Sequence, residues 1–167
     1  LIQEICSKLI DKKIGFKWKI IGENAELLFK NKFINSNLHL FDIKENIGNV
    51  DEDFFPHSNL INQYKSSDLY LNLSRIESFG ITFIEALASK TPIISFDGKG
   101  ANEIIKDEIN GFIVKNYDVT EFINKICQIN KNKIIINSMQ NNCLESIRKF
   151  DLGINSNKLI NIYNDQI

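Results

Sequence analysis

Histidine is scarce, cysteine is sparse and odd in number, and neither sign of charge is in excess. The 167-residue chain carries two histidines, His39 and His57, and three cysteines, Cys6, Cys127 and Cys143. Their spacing matches no zinc pattern and three thiols cannot all pair. The cysteines therefore read as reduced, the compartment as cytoplasmic, and no metal is expected. Lys+Arg 20 against Asp+Glu 21 leaves a net charge of −1. Binding along a phosphate backbone needs a basic surplus, so no nucleic-acid partner is expected, although one local anion site stays open. No apolar run approaches the roughly 18 residues of a membrane span.

What is present fits one α/β domain over residues 1–167. Leu1, Ile2, Ile5, Leu9 and Ile10 recur at helical spacing, so the chain opens inside an amphipathic helix and residues upstream are expected. Short apolar runs follow at "FKWKIIG", "NLHLF", "DLYLNLS", "TPIISF" and "INGFIV". Helical patterns separate them, and the last part reads as helices to about Tyr163. The stretch "DIKENIGNVDEDFFPHS" lacks a period and reads as the longest loop. Short Ile-rich strands alternating with helices predict a parallel sheet covered on both faces. Ligands of such sheets bind beyond the carboxyl ends of the strands. The loops "GEN", "DIKEN", "SRIESFG" and "DGKG" are therefore the functional candidates.

The segment "SRIESFGITFIEALASKTPIISFDGKG" carries most of the chemistry. Glu77 follows a strand, and Gly80 leads into a helix holding Thr82 and Glu85. Gly80 lacks a Cβ, so a ligand can approach its backbone. The amides of Gly80, Ile81 and Thr82 are expected to point from the helix start, forming an anion site helped by the helix dipole. A diphosphate suits that site, and the flanking carboxylates suit sugar hydroxyls at roughly 1.5–3 kcal/mol per charged hydrogen bond. Thr82 and Glu85 also fit a capping box, which would explain Glu85 without a ligand. The two roles are compatible.

The two glutamates, with Ser78-Phe79-Gly80 after the first and Ala86-Leu87-Ala88 after the second, resemble the signature of family 4 glycosyltransferases. Asp68, Thr91-Pro92-Ile93-Ile94, Gly100 with Glu103, Asn110-Gly111-Phe112, Phe150 and Tyr163 fall in the same family order. The resemblance covers almost the whole chain. It implies a Rossmann-like parallel sheet with helices on both faces, forming the C-terminal, donor-binding half of a GT-B enzyme. It also implies sugar transfer from a nucleotide-diphosphate sugar to a glycan or lipid-linked acceptor, with retention, in surface polysaccharide or lipopolysaccharide assembly. Glu77 would then be catalytic, holding hydroxyls of the transferred sugar. Ser78, Phe79, Gly80, Ile81 and Thr82 would hold the donor, with the diphosphate on the backbone of Gly80 and Ile81. Glu85 would bind the ribose. The loop around Phe41 and Asp42 would meet the base, Gly22 would keep the turn below the nucleotide open, and Lys99 and Gly100 would border the site. No cofactor or metal is implied. The partners implied are a nucleotide sugar, an N-terminal acceptor domain of the same chain and, for the full-length enzyme, the inner face of the membrane. The isolated chain would be inactive.

Some residues depart from that pattern. Lys90 stands where the helix end usually has glycine, which predicts a strained turn. The family's basic diphosphate contacts would lie on a loop after a strand preceding Leu1. Gly98-Lys99-Gly100-Ala101-Asn102-Glu103, with Asp118 beyond the next strand, mimics a dinucleotide fingerprint. Glu103 occupies its third glycine position, where close helix packing excludes a side chain. A nucleotide-sugar epimerase of the same fold and a non-catalytic nucleotide-sugar-binding module are the rival functions.

Overall fold

The computed structural model describes residues 1–45 and 58–164. In chain order the elements are α1 (Ile2–Asp11), β1 (Trp18–Ile21), α2 (Lys32–Ser36), β2 (Phe41–Lys44), α3 (Ser58–Lys65), β3 (Tyr70–Asn72), α4 (Ile81–Ala88), β4 (Ile93–Phe96), α5 (Lys99–Ile104), β5 (Gly111–Val114), α6 (Val119–Lys131), α7 (Lys133–Ile147) and α8 (Leu152–Asn164). Short 3-10 turns precede α2 and β2 and follow β5 and α7. No described helix is long and apolar enough to cross a membrane.

All strand pairs are parallel, as the alternating pattern predicts, but among the described residues they form two sheets. β1 pairs with β2, aligning Trp18 with Phe41, while β3, β4 and β5 pair in that order. All four residues of β4 are buried. Ile94 and Phe96 face a core built with Ile5 and Leu9 of α1, Phe122 and Ile126 of α6 and Met139 of α7. Ile93 faces the opposite core, with Tyr64 of α3, Phe83 and Leu87 of α4 and Ile104 of α5. A strand buried on both faces reads as a continuous apolar run, which is why "TPIISF" shows no alternation. A third cluster, with Cys6, Ile34 and Phe41, seals β1 and β2.

Side-chain caps fix several helix starts. Asp118 Oδ1 accepts the amides of Thr120 and Glu121 at 2.8 and 3.0 Å, so α6 begins there. Asn132 caps α7 and Asn31 caps α2 in the same way. Such a cap contributes about 1 kcal/mol. The three cysteines are free, and burial pushes the thiols of Cys6 and Cys143 up to about 12.

Two expectations change. The apolar run "NLHLF" is not a strand: Leu38–Leu40 form a 3-10 turn, and β2 starts at Phe41. The turn is held by Leu40 N–H on the Asn37 carbonyl, while the Asn37 side chain donates to Phe33 O at 2.8 Å. The expected loop from Asp42 accordingly begins later, and its residues 46–57, His57 among them, lie outside the described residues.

Candidate functional site

The carboxyl ends of β1 and β3 open onto one cavity of about 1930 Å³. Gly22, Ser74, Ile81, Thr82 and Glu85 are all on its wall. Gly22 ends β1, donating its amide to Lys44 O at 3.1 Å, and a Cβ placed on it would meet nothing within 4 Å. The turn it makes is open on that side.

Across the mouth stands the start of α4. Gly80 precedes the helix with φ +80° and ψ +52°, a left-handed conformation that favours glycine. Phe83 and Ile84 return their amides to the Gly80 carbonyl. The amides of Ile81 and Thr82, which begin the helix, have no bonded partner among the described residues. The Ile81 side chain is 60% exposed. Two free amides at the positive end of a helix can receive an anion.

The Gly80 amide is not a third. Its N–H donates to Glu77 Oε1 at 3.1 Å, and Gly80 is buried. A Cβ on Gly80 would lie 2.5 Å from the buried Phe83 ring, so glycine is needed there for packing as well as for backbone conformation. Glu77 is half-buried and closes its own turn through that bond. Ser78 is exposed, and Phe79 sets its ring edge-on to Phe150 with centroids 5.8 Å apart.

The capping-box reading fails. Thr82 is the second residue of the helix, not its cap, and no side chain caps α4. Its hydroxyl instead accepts from Tyr70 at 3.1 Å. Glu85 faces the cavity and accepts from the Tyr64 hydroxyl at 3.1 Å. Burial raises the Glu85 pKa, and the Tyr64 bond offsets part of that rise. Burial also raises Tyr64 strongly, with the Glu85 charge second. The sequence reading missed both tyrosines. Their signal was available in principle: an aromatic that buries its ring must still find a partner for its hydroxyl.

Two further expectations are corrected. Phe41 does not reach the cavity; it opens β2 at the end away from the mouth and is buried against Cys6 and Ile34. The late start of β2 placed it there. Gly100 is buried, with its amide directed to Glu77 O at 3.3 Å. A Cβ on Gly100 would lie 2.8 Å from that carbonyl. Its missing side chain admits the Glu77 backbone, so it supports the loop from behind. Lys99, beside it, is exposed at the start of α5. Among the described residues, no group of three His, Cys, Asp or Glu side chains could hold a metal ion.

The profile of glycosyl transferases group 1 matches residues 6–150. The chain belongs to that family. A poly(ribitol-phosphate) alpha-N-acetylglucosaminyltransferase of Staphylococcus aureus (strain COL) is 25% identical over 98% of this chain and 32% of its own length. An Escherichia coli UDP-Gal:alpha-D-GlcNAc-diphosphoundecaprenol alpha-1,3-galactosyltransferase is 28% identical over 64% of this chain and 27% of its own. A TarM variant from S. aureus, solved with Fondaparinux, alpha-GlcNAc-glycerol and UDP, superposes with a TM-score of 0.79 at 24% identity, covering 98% of this chain and 32% of that one. The chain thus spans about a third of the length of these relatives. The dinucleotide mimic in this chain resolves into packing: Gly100 admits Glu77, and Asp118 caps α6.

Proposed function

We propose that the chain is the donor-binding domain of a two-domain, GT-B glycosyltransferase of family 4 that retains anomeric configuration. The donor is a nucleotide-diphosphate sugar, and the acceptor is a glycan or a lipid-linked sugar of surface polymer assembly, in the cytoplasm at the inner membrane face. One observation carries this reading: the free amides of Ile81 and Thr82, with Glu85 one turn on, stand across one cavity mouth from the open turn at Gly22. A diphosphate fits the helix start, where charge and hydrogen bonding act together. Glu85, with one oxygen already oriented by Tyr64, presents its carboxylate to the ribose hydroxyls.

Glu77 takes the sugar side of the site. Its Oε1 accepts from Gly80 N–H, which leaves the second oxygen for a sugar hydroxyl. Support from the comparisons is of two kinds. The S. aureus relative bears the name of an N-acetylglucosaminyltransferase acting on poly(ribitol-phosphate), and the E. coli relative that of a galactosyltransferase acting on a diphosphoundecaprenol-linked sugar. The TarM complex contains UDP.

The test is calorimetry of the full-length protein against UDP- and GDP-sugars, followed by Glu77→Gln. Glutamine keeps an acceptor for Gly80 and removes the charge. Turnover should fall about 30- to 150-fold, the equivalent of losing about 2–3 kcal/mol of charged hydrogen bonding. The isolated 167-residue chain should turn nothing over. Unchanged turnover of the variant removes Glu77 from the site, and failure of every nucleotide sugar to bind removes the donor role.

A further inference from the structure

The carboxyl rim of the β3-β4-β5 sheet has two flanks. Glu77 and the start of α4 take one: Glu77 O meets Gly100 of α5, and Phe83 of α4 lies in the core with Ile93. Arg75 takes the other. The loop leaves β3 through a tight turn, with Ser74 N–H donating to Asn72 Oδ1 at 3.0 Å. Arg75 then sets its guanidinium 4.6 Å from the centroid of the Tyr117 ring. Tyr117 follows β5 and packs on Phe96, the last residue of β4, with ring centroids 4.0 Å apart. Both rings belong with the core of α1, α6 and α7. Arg75 is not on the wall of the cavity that holds Gly22, Thr82 and Glu85. An anion held by Arg75 would be a second one, apart from an anion at the α4 tip.

Holding the Tyr117 ring in place strains the backbone. Asn116 and Tyr117 both have φ +55°, a left-handed conformation that a bulky residue rarely adopts. Tyr117 is then tied at its far end, its hydroxyl donating to Leu73 O at 3.1 Å. The ring is thus fixed to the ends of both β3 and β4, beside the loop that carries Glu77. An exposed cation–π contact stabilises by less than such backbone costs. Fold stability alone does not account for the platform, and backbone strain of this kind gathers at binding sites.

The platform leaves the edge of the guanidinium open. Arg75 is exposed and, among the described residues, enters no ion pair. Neither does Asp97, the exposed carboxylate after β4. Two other carboxylates close in sequence are engaged: Glu77 Oε1 with the Gly80 amide, and Asp118 Oδ1 with the start of α6. A guanidinium placed over a ring, with its N–H edge in solvent, presents the paired donors that a phosphate takes bidentately.

We infer that Arg75 binds a phosphate of the acceptor, so that the acceptor is a phosphate-bearing molecule. The inference rests on the donor reading above, because Glu77 marks where the transferred sugar lies. Two residues separate Arg75 from Glu77, at most about 7 Å of chain, so the phosphate stands close to the hydroxyl that receives the sugar. The diphosphate of a lipid carrier and the phosphodiester of a polymer offer Arg75 the same group.

Calorimetry on the full-length protein tests it, with UDP or GDP, whichever binds, saturating the donor site. The probes are geranyl diphosphate and a glycerol-phosphate oligomer. At least one should bind, and Arg75→Gln should weaken it about tenfold or more, the loss expected for a charged hydrogen-bonding group. Tyr117→Leu, which removes the ring and keeps the charge, should weaken it about two- to fivefold. Nucleotide affinity should be unchanged in both variants, which shows that they fold and keep the donor site. Tighter binding of geranyl diphosphate marks a lipid carrier and tighter binding of the oligomer a polymer; either supports the inference. It is overturned if neither probe binds the nucleotide-filled parent, or if Arg75→Gln binds the probe as tightly as the parent does. Failure of both nucleotides to bind the parent strikes the donor reading instead, and the parent and Arg75→Gln are then compared without nucleotide, with the same outcomes deciding.

Discussion

Replacing Gly100 with alanine separates packing from helix propensity at the back of the site. Gly100 is the second residue of α5, and an alanine in a helix is favoured over glycine by about 0.8–1 kcal/mol. Propensity alone predicts a stabilised protein. Packing predicts the reverse. The added Cβ would sit 2.8 Å from Glu77 O and 3.2 Å from Glu77 Cγ, where ordinary contact begins at 3.4 Å. The carbonyl must retreat by about 0.6 Å, and overpacking of this kind costs about 1–3 kcal/mol. The retreat also weakens the bond from Gly100 N–H to Glu77 O, worth about 1 kcal/mol. The steric cost wins, leaving a net destabilisation of about 1–3 kcal/mol. For a domain of this size that lowers Tm by about 2–10 °C. Because the displaced residue is Glu77, turnover of the full-length protein should fall about tenfold to a hundredfold, the range expected when a reacting group is misplaced by a fraction of an ångström to 1 Å. Calorimetric melting of the variant, with amide chemical shifts at 77–80, reads both effects. Gly98→Ala is the control, since its Cβ would meet nothing within 4 Å. A Gly100→Ala protein that melts higher, with the 77–80 amides unmoved, would refute the packing argument.

Lys90→Gly should stabilise the chain. Lys90 holds φ +59° just after α4, where Lys90 N–H bonds Leu87 O and Thr91 N–H bonds Ala86 O. This is the Schellman ending that glycine favours. Relief of about 1–2 kcal/mol of left-handed strain, less about 0.4–1 for the freer unfolded chain, should raise Tm by about 2–4 °C, and a lower Tm in a thermal melt would contradict it. Glu85→Gln tests the electrostatics. Burial raises the Glu85 pKa above its ordinary 4.5, so the folded chain holds the proton more tightly than the unfolded one. Its contribution to stability is full below the unfolded value and is lost as pH rises through the folded value. Urea unfolding from pH 4 to 7 should show the variant gaining on the parent as pH rises, whereas a difference that stays flat would remove the burial argument.

The parts of the fold set by strong local chemistry were legible. Short apolar runs between turn residues marked β3, β4 and β5, and Lys90 announced an unusual helix ending, because left-handed backbone disfavours a Cβ. Other parts depended on where an element starts, which pattern does not decide within a residue or two. The run "NLHLF" alternates like a strand, but Asn37 starts a turn through side-chain and backbone bonds. That shift moved Phe41 from the site to the core. The capping box needed Thr82 at the helix cap, and the left-handed Gly80 took that position. Gly100 was placed at the border of the site, but it lies behind it, because its missing side chain admits the Glu77 backbone and a glycine in sequence does not say what approaches. A buried hydroxyl at Tyr64 or Tyr70 asks for a partner, but which partner could not be read, because it lies twelve or more residues away in sequence.

These corrections bear on how the helix tip is held. Phe83, buried in the core of α4, leaves no room for a side chain on Gly80. Gly80 gives its amide to Glu77, and Glu77 presses its carbonyl against Gly100 in the first turn of α5. Core, helix tip, acidic loop and second helix therefore form one line of contacts with no spare volume. A loop on such a support presents its carboxylate in a fixed place, as the proposed sugar-binding role requires. On the cavity side Tyr70 does the same for Thr82 and Tyr64 for Glu85, each through one hydroxyl bond. Gly80 and Gly100 thus constrain the site from the protein side. Substituting either should move Glu77 before it touches the ligand.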